Sequence, residues 1–247
     1  MASLISSKEQ DKYQRQITIS GFGIEGQQKL KNAKILVAGA GGLGAPVSLY
    51  LAAAGVGTIR IVDSDMVAIS NLNRQILYTE ADTGKRKASV AQERLHRANS
   101  DINVESVDTI ISPENVLALA AGCDLIIDAL DNYPTRYLMN KAALESNIPF
   151  VHAGVYALDG MITTIVPGKT ACLRCIFPEP PLPITTPVLG VVPGIMGCLQ
   201  ALEAIKYLIG IGELVTGRML LVDGFGTKFN EVRVQRNPQC LDCRMLW

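Results

Sequence analysis

The stretch from Ala33 to Gly55 restricts the fold more than any other part of the chain. The apolar run AKILVAG leads directly into GAGGLGAPVSLYLAAAG, which reads as a buried strand, a glycine turn and a helix. Gly39, Gly41 and Gly44 supply G-x-G-x-x-G in the one context that gives this pattern meaning, after a strand and at the start of a helix. Glycines there let backbone amides approach phosphate oxygens, and the helix dipole adds to the attraction. TIRIVDSD follows as a second strand, and Asp63 near its end stands at the spacing of a carboxylate that accepts from ribose hydroxyls. Turn and acid together predict an adenine nucleotide.

The alternation continues. A helix is expected at about 85–98, a strand at INVESVD, a helix over 113–121, the apolar strand DLIIDAL, a helix over 134–146 and the strand PFVHAGV. Repeated strand–helix alternation implies a parallel sheet with helices on both faces. After Gly160 the strands MITTIVP, RMLLVDG and KFNEVRVQ have fewer helices between them, which predicts an antiparallel continuation. The expected fold class is therefore α/β, a Rossmann-like, mostly parallel sheet continued by an antiparallel portion. We place all of it in one domain over 1–247: N-terminal helices in 1–32, a nucleotide-binding half in 33–155 and a partner-binding half in 156–247. Ser6 and Glu9 stand at capping-box spacing for the first helix. The prolines of FPEPPLPITTP make 177–187 a semi-extended crossover loop. It leads into GIMGCLQALEAIKYLIG, a helix with Cys198, Ala201, Leu202 and Ile205 on its apolar face and Gly210 as its stop.

The 23 basic and 23 acidic residues cancel, which removes the footprint of a general nucleic-acid binder. The first residues lack the basic start and apolar run of a signal peptide, and no membrane span or membrane partner is expected, so the expected location is cytoplasmic. Six cysteines in a reducing compartment argue against a disulfide framework. Four of them form the pairs Cys172-Leu-Arg-Cys175 and Cys240-Leu-Asp-Cys243. Four thiolates in tetrahedral array suit Zn2+, and with no open ligand position the site is structural. Two redox pairs or a cluster are the other readings of the same spacing.

Beyond the acidic strand, Arg74 in SDMVAISNLNRQ and Lys85, Arg86 and Lys87 in TGKRKAS supply cations of the kind that neutralise a triphosphate. Lys85 and Arg86 read equally as a solvated helix start. Asp128 and Asp131 lie at the C-terminal end of an apolar strand, where open parallel sheets present ligands, and a carboxylate there suits magnesium. Asp131 or Asn132 taken alone also reads as a helix cap.

These residues resemble the family of MoeB, ThiF, HesA and the ubiquitin-activating enzymes over nearly the whole chain: YQRQ near the start, GAGGLG, the strand ending in Asp63, SNLNRQ, Lys87, the LDN containing Asp131, and the paired cysteines. The resemblance implies an ATP-dependent adenylyltransferase that activates the C-terminal glycine carboxylate of a small ubiquitin-like sulfur-carrier protein ending in Gly-Gly, in molybdopterin or thiamine synthesis, and that works as a homodimer. It implies that Gly42 and Asp63 contact ATP, that Asn71, Arg74 and Lys87 reach the phosphates, and that Asp131 holds Mg2+, with Asn132 beside it in the nucleotide site. Arg15 in YQRQ is similar to the family arginine that enters the neighbouring subunit's site. One departure stands out: many relatives carry a cysteine shortly before a Gly-Val-Leu-Gly stretch, and PPLPITTPVLG has none. Cys123 at a strand entry and Cys198 on a helix face are poor substitutes, so adenylation without a covalent enzyme intermediate is expected. Rival readings are a related enzyme acting on tRNA or a peptide, an NAD-dependent oxidoreductase, and a nucleotide-sensing scaffold.

Overall fold

Ser6 caps the first helix as the capping box predicts: its Oγ accepts from the Glu9 amide at 3.3 Å while Glu9 Oε2 accepts from the Ser6 amide at 2.9 Å. The computed structural model describes residues 4–180 and 187–246. From this cap run α1 (Ser7–Lys12), α2 (Gln14–Ile17) and α3 (Gly23–Asn32). The strand–helix alternation follows as β1 (Lys34–Ala38), α4 (Gly44–Ala54), β2 (Thr58–Val62), α5 (Lys87–Ala98), β3 (Asn103–Val107), α6 (Val116–Ala120), β4 (Leu125–Asp128), α7 (Tyr133–Glu145) and β5 (Phe150–Tyr156). The remainder is β6 (Asp159–Ile165), α8 (Leu173–Ile176), α9 (Val191–Ile209), β7 (Arg218–Asp223) and β8 (Lys228–Arg233).

The strands form one sheet in the order β3-β2-β1-β4-β5-β6-β7-β8. The first five pair in parallel and the last three antiparallel, so the change of character expected after Gly160 sits at the β5–β6 hairpin. Alternate residues of β1 face opposite cores. Ile35 and Val37 pack with Leu51, Ile59 and Leu95, while Leu36 and Ala38 pack with Ile126, Met139 and Phe150. A parallel strand covered on both faces reads as a continuous apolar run, which is why KILVA and LIID were recognisable. The first connections lead from β1 outward to β2 and β3, and the chain then crosses back to β4 on the other side of β1. That reversal opens a crevice above the carboxyl ends of β1 and β4.

Two expected elements differ. The helix expected over 113–121 is confined to Val116–Ala120. In α9 the buried set is Val192, Pro193, Met196, Gly197, Gln200, Ala201, Glu203, Ala204 and Ile209, whereas Leu202 is 51% exposed and Cys198 and Ile205 are half-buried. Of the expected face, Ala201 is buried and Ile205 packs against the core, but Leu202 points out, because Gln200 and Glu203 face inward and find partners: Gln200 Nε2 donates to the Asp128 and Val151 carbonyls, and Glu203 Oε2 accepts from Thr164 and the Val215 amide. By length and composition α9 could cross a bilayer. Its packing against α4, β5 and β6 makes it a core helix instead. The crossover expected over 177–187 lies partly outside the described residues, at 181–186.

Candidate functional site

The glycine turn divides into positions that the fold itself needs and positions that it leaves open. Gly39 has φ +101°, and a Cβ there would stand 2.5 Å from the Ala129 carbonyl oxygen; a Cβ on Gly44 would stand 2.1 Å from the Gly39 carbonyl oxygen. These two close the turn. Around Gly41 the nearest atom to a Cβ would be Gln75 Nε2 at 3.7 Å, ordinary contact distance, and around Gly42 Pro193 and Arg74 lie at 3.3–3.5 Å. Packing alone does not require glycine at Gly41. Its bare backbone is therefore available to a ligand.

Asp63 braces this turn from β2. Its Oδ2 accepts from the Ala40 amide and its Oδ1 from the Asp65 amide, each at 2.8 Å. Burial nevertheless pushes its carboxyl up from the ordinary carboxylate range. Tyr78, also buried, donates its hydroxyl to the Ala40 carbonyl at 2.8 Å, and burial raises it far above the usual phenol range. The backbone of Ala40 is thus fixed at both its polar groups, its oxygen by Tyr78 and its N–H by Asp63.

The basic cluster separates cleanly. Lys85, itself exposed, pairs with the buried Asp82 at 3.0 Å, and the exposed Arg86 pairs with Asp108 at 3.0 Å, so both cations project to solvent as a helix start would. Lys87 is 5% exposed and pairs with Asp65 at 2.8 Å, although Asp65 itself is largely exposed. A buried ammonium held by one exposed carboxylate can exchange that partner for another anion. Arg74 has no carboxylate partner among the described residues; its Nη1 donates to the Ser70 carbonyl at 2.8 Å and to Asn73 Oδ1 at 3.0 Å. Asn71 uses its Oδ1 to accept from the Ala68 amide at 3.1 Å, closing the short turn that carries Arg74.

Asp131 follows β4, whose last residue is paired in register with Ala38 at the foot of the glycine turn. The Asp131 carboxylate is exposed and among the described residues meets only Asn132 Nδ2, at 3.3 Å. Asn132 is the N-cap of α7, accepting from the Thr135 amide at 3.0 Å, so the capping reading holds for that residue. Arg15 stands elsewhere. Two residues before it, Tyr13 packs so closely at Gly55 that a Cβ there would be 2.6 Å from the ring. Gly55 caps the far end of α4, 11 residues long, or about 16 Å from the glycine turn. Arg15 is exposed there, outside this chain's own site.

Sequence reasoning missed three neighbours. Asp65 as the partner of Lys87 had no signal beyond its position after β2. Gln75 is 4% exposed, with its Oε1 unpartnered among the described residues and its amide nitrogen beside Gly41. The segment just beyond the crossover returns onto the site, since a Cβ on Gly190 would stand 2.1 Å from the Asn73 carbonyl oxygen and Pro193 abuts Gly42.

The cysteine pairs do come together. Sγ–Sγ distances are 3.8 Å for Cys172–Cys175, 3.6 Å for Cys172–Cys240 and 3.5 Å for Cys175–Cys243, with all four sulfurs within 4.8 Å of one another. Sulfurs bound tetrahedrally at ~2.3 Å from one ion would stand ~3.8 Å apart, so the donor set fits a metal. Burial pushes the Cys172 thiol up and the Cys243 thiol up to about 11. Four thiolates at neutral pH therefore need a cation among them. Around the cluster, Asp242 accepts from Arg174 Nε and Asn140 Nδ2 at 3.0 Å each, and Arg174 stacks over Tyr137 at 4.0 Å.

A model of the ThiF family matches residues 13–242. The chain is 43% identical over 249 residues to a sulfur carrier protein adenylyltransferase of Thermus thermophilus, covering 96% of this chain and 92% of that protein. It is equally 43% identical to a SAMP-activating enzyme E1 of Haloferax volcanii, covering 98% and 92%. An adenylyltransferase and sulfurtransferase MOCS3 of Mus musculus is 42% identical, and the match spans 54% of it. Among solved structures, E. coli MccB with ATP superposes with a TM-score of 0.85 at 28% identity, over 97% of this chain and 75% of that one.

Proposed function

The chain belongs to the ThiF family and is an adenylyltransferase, and from that membership we propose that it activates the C-terminal glycine carboxylate of a small ubiquitin-like sulfur-carrier protein with ATP. The observation that carries this reading is the open backbone at Gly41, together with an Arg74 that has no carboxylate partner among the described residues and a Lys87 on an exchangeable carboxylate. The carrier carboxylate attacks the α-phosphorus of ATP, the bond to the bridging oxygen breaks, and pyrophosphate leaves. No protein nucleophile is required. The amides of the Gly39–Gly44 turn and the N-terminus of α4 bind phosphate oxygens, and Asp63 accepts from the ribose. Arg74, Asn71 and Lys87 hold the phosphates, and their cations stabilise charge that builds on the attacked phosphoryl group.

Asp131 is our choice of ligand for Mg2+, which when bound supplies charge neutralisation to the phosphates. The fit rests on an exposed carboxylate without an ion-pair partner among the described residues. Zn2+ suits the four cysteines and serves structure. Arg15, remote from its own glycine turn, is assigned to the site of a second copy, so the working unit is a homodimer. All six cysteines are free, which supports a reducing, cytoplasmic setting. The 43% identity to enzymes named for sulfur carriers and SAMPs supports a ubiquitin-like carrier as the acceptor. Molybdopterin or thiamine synthesis is the setting we propose.

Exchange of labelled pyrophosphate into ATP tests the reading. Exchange is expected with a carrier ending in Gly-Gly and absent with the same carrier lacking its last two residues; exchange indifferent to that end would overturn the choice of acceptor.

A further inference from the structure

The backbone that carries Asp131 is held at almost every polar group. The Asp128 carbonyl accepts from Gln200 Nε2 at 2.7 Å, and the Ala129 amide donates to the Ala38 carbonyl at 2.9 Å. The Ala129 carbonyl lies against Gly39. The Leu130 amide donates to Asp128 Oδ1 at 3.1 Å, and the Leu130 carbonyl accepts from Arg136 Nη2 at 2.5 Å. The next residue is the exposed Asp131, and Asn132 after it is held again as the cap of α7.

Arg136 is the unusual member of this set. It is 6% exposed, its Nη2 also donates to the Ala153 carbonyl of β5 at 3.1 Å, and its Nε lies 3.5 Å from Asp128 Oδ2 as an ion pair. Asp128 is fully buried and receives the Nδ1–H of His152 at 2.6 Å. Burial pushes the His152 ring down in pKa, so it stays neutral and the buried charges reduce to one Arg and one Asp. A buried guanidinium that reaches the carbonyl just before a candidate ligand, and shares its charge with an aspartate in the same turn, is placed to fix that turn.

We propose that Arg136 is a positioning residue for Asp131: by tying the Leu130 carbonyl to β5 and neutralising Asp128, it presents the Asp131 carboxylate from a rigid turn at the height of the glycine loop. This rests on the reading of Asp131 as the metal ligand. A purely structural Arg136 would brace α7 against β5 and leave the neighbouring carboxylate's affinity for a cation unaltered.

The test measures Mn2+ binding by electron paramagnetic resonance in the full chain with an ATP analogue whose α,β bridge cannot be cleaved, alongside the thermal midpoint. Arg136→Lys keeps the charge but cannot span both carbonyls and Asp128, and is expected to weaken Mn2+ about tenfold, while the analogue's affinity without a divalent cation is unchanged. Asp131→Ala is the control. If Asp131→Ala leaves Mn2+ binding intact, the assignment of Asp131 itself fails. If Asp131→Ala weakens Mn2+ and Arg136→Lys lowers only the midpoint, the positioning role is overturned. Should Arg136→Lys not fold, Asp128→Asn retains the acceptor for the Leu130 amide and removes the anion facing Arg136; weakened Mn2+ binding supports the proposal and unchanged binding overturns it.

Discussion

Arg74→Ala lowers carrier-dependent pyrophosphate exchange by about two to three orders of magnitude, the loss seen when one preorganised charge contact to a transition state is removed. The size follows from how little else Arg74 does. Its guanidinium has no carboxylate partner among the described residues and is steadied only by Ser70 and Asn73, while its stem lies 3.5 Å from where a Gly42 Cβ would be. Its removal leaves no buried group unpaired, so the thermal midpoint stays put and the deficit falls on the chemical step. Asp131→Ala behaves similarly for the same reason, being exposed and lightly bonded. Lys87→Ala also loses activity, but it leaves a cavity where a nearly buried side chain stood and frees Asp65, so its effect mixes stability with catalysis. Steady-state exchange with kcat and KM separated, together with melting curves, distinguishes these cases. Unchanged exchange in Arg74→Ala and Asp131→Ala would remove both from the site.

Loss of the metal has the largest expected effect on stability. The segment after β7 is poorly held by packing: every residue of β8 is exposed, and beyond it the cysteine pair Cys240 and Cys243 sits against α8 and α7. Without a cation the four sulfurs, 3.5–3.8 Å apart along three edges, are either protonated and poorly packed or mutually repelling. Chelation, or Cys172→Ser, is expected to cost more than about 4 kcal/mol, in the range of a lost structural metal. For a chain of this size that is a fall of roughly 8–16 °C in the midpoint. The cysteines also become alkylatable in the folded protein. Calorimetry with and without chelator, paired with metal analysis, checks this, and an unchanged midpoint after complete metal removal would show that the cluster is not structural.

Much of this was legible because it was local. The apolar runs at β1 and β4, the glycine turn between strand and helix, Asp63 at the end of β2 and the Cys-x-x-Cys spacing each announce themselves within about ten residues. The antiparallel continuation was also readable, from the loss of helices between strands. What escaped is built from residues that only the tertiary fold assembles. Asp128, Arg136 and His152 come from β4, α7 and β5, and nothing in their spacing links them. The apolar-face reading of α9 misplaced Leu202, which is exposed, because the inward surface is completed by Gln200 and Glu203, polar side chains whose hydrogen-bond partners lie on other elements. Periodicity counts apolar residues and is blind to a polar one that is satisfied. Composition and spacing alone did not separate Lys87 from Lys85 and Arg86; the family resemblance singled it out, and its burial sets it apart in the fold.

The cysteine-free crossover expected from PPLPITTPVLG narrows the chemistry to a single chemical product, a carrier protein with AMP on its terminal carboxylate. The most direct measurement is therefore intact-mass spectrometry of candidate carriers ending in Gly-Gly after incubation with this protein, ATP and magnesium. A carrier heavier by one AMP residue is expected, formed with wild-type protein and lost with Arg74→Ala, with no mass added to the enzyme. A carrier that stays unmodified while the enzyme consumes ATP, or AMP found on a different class of acceptor, would contradict it.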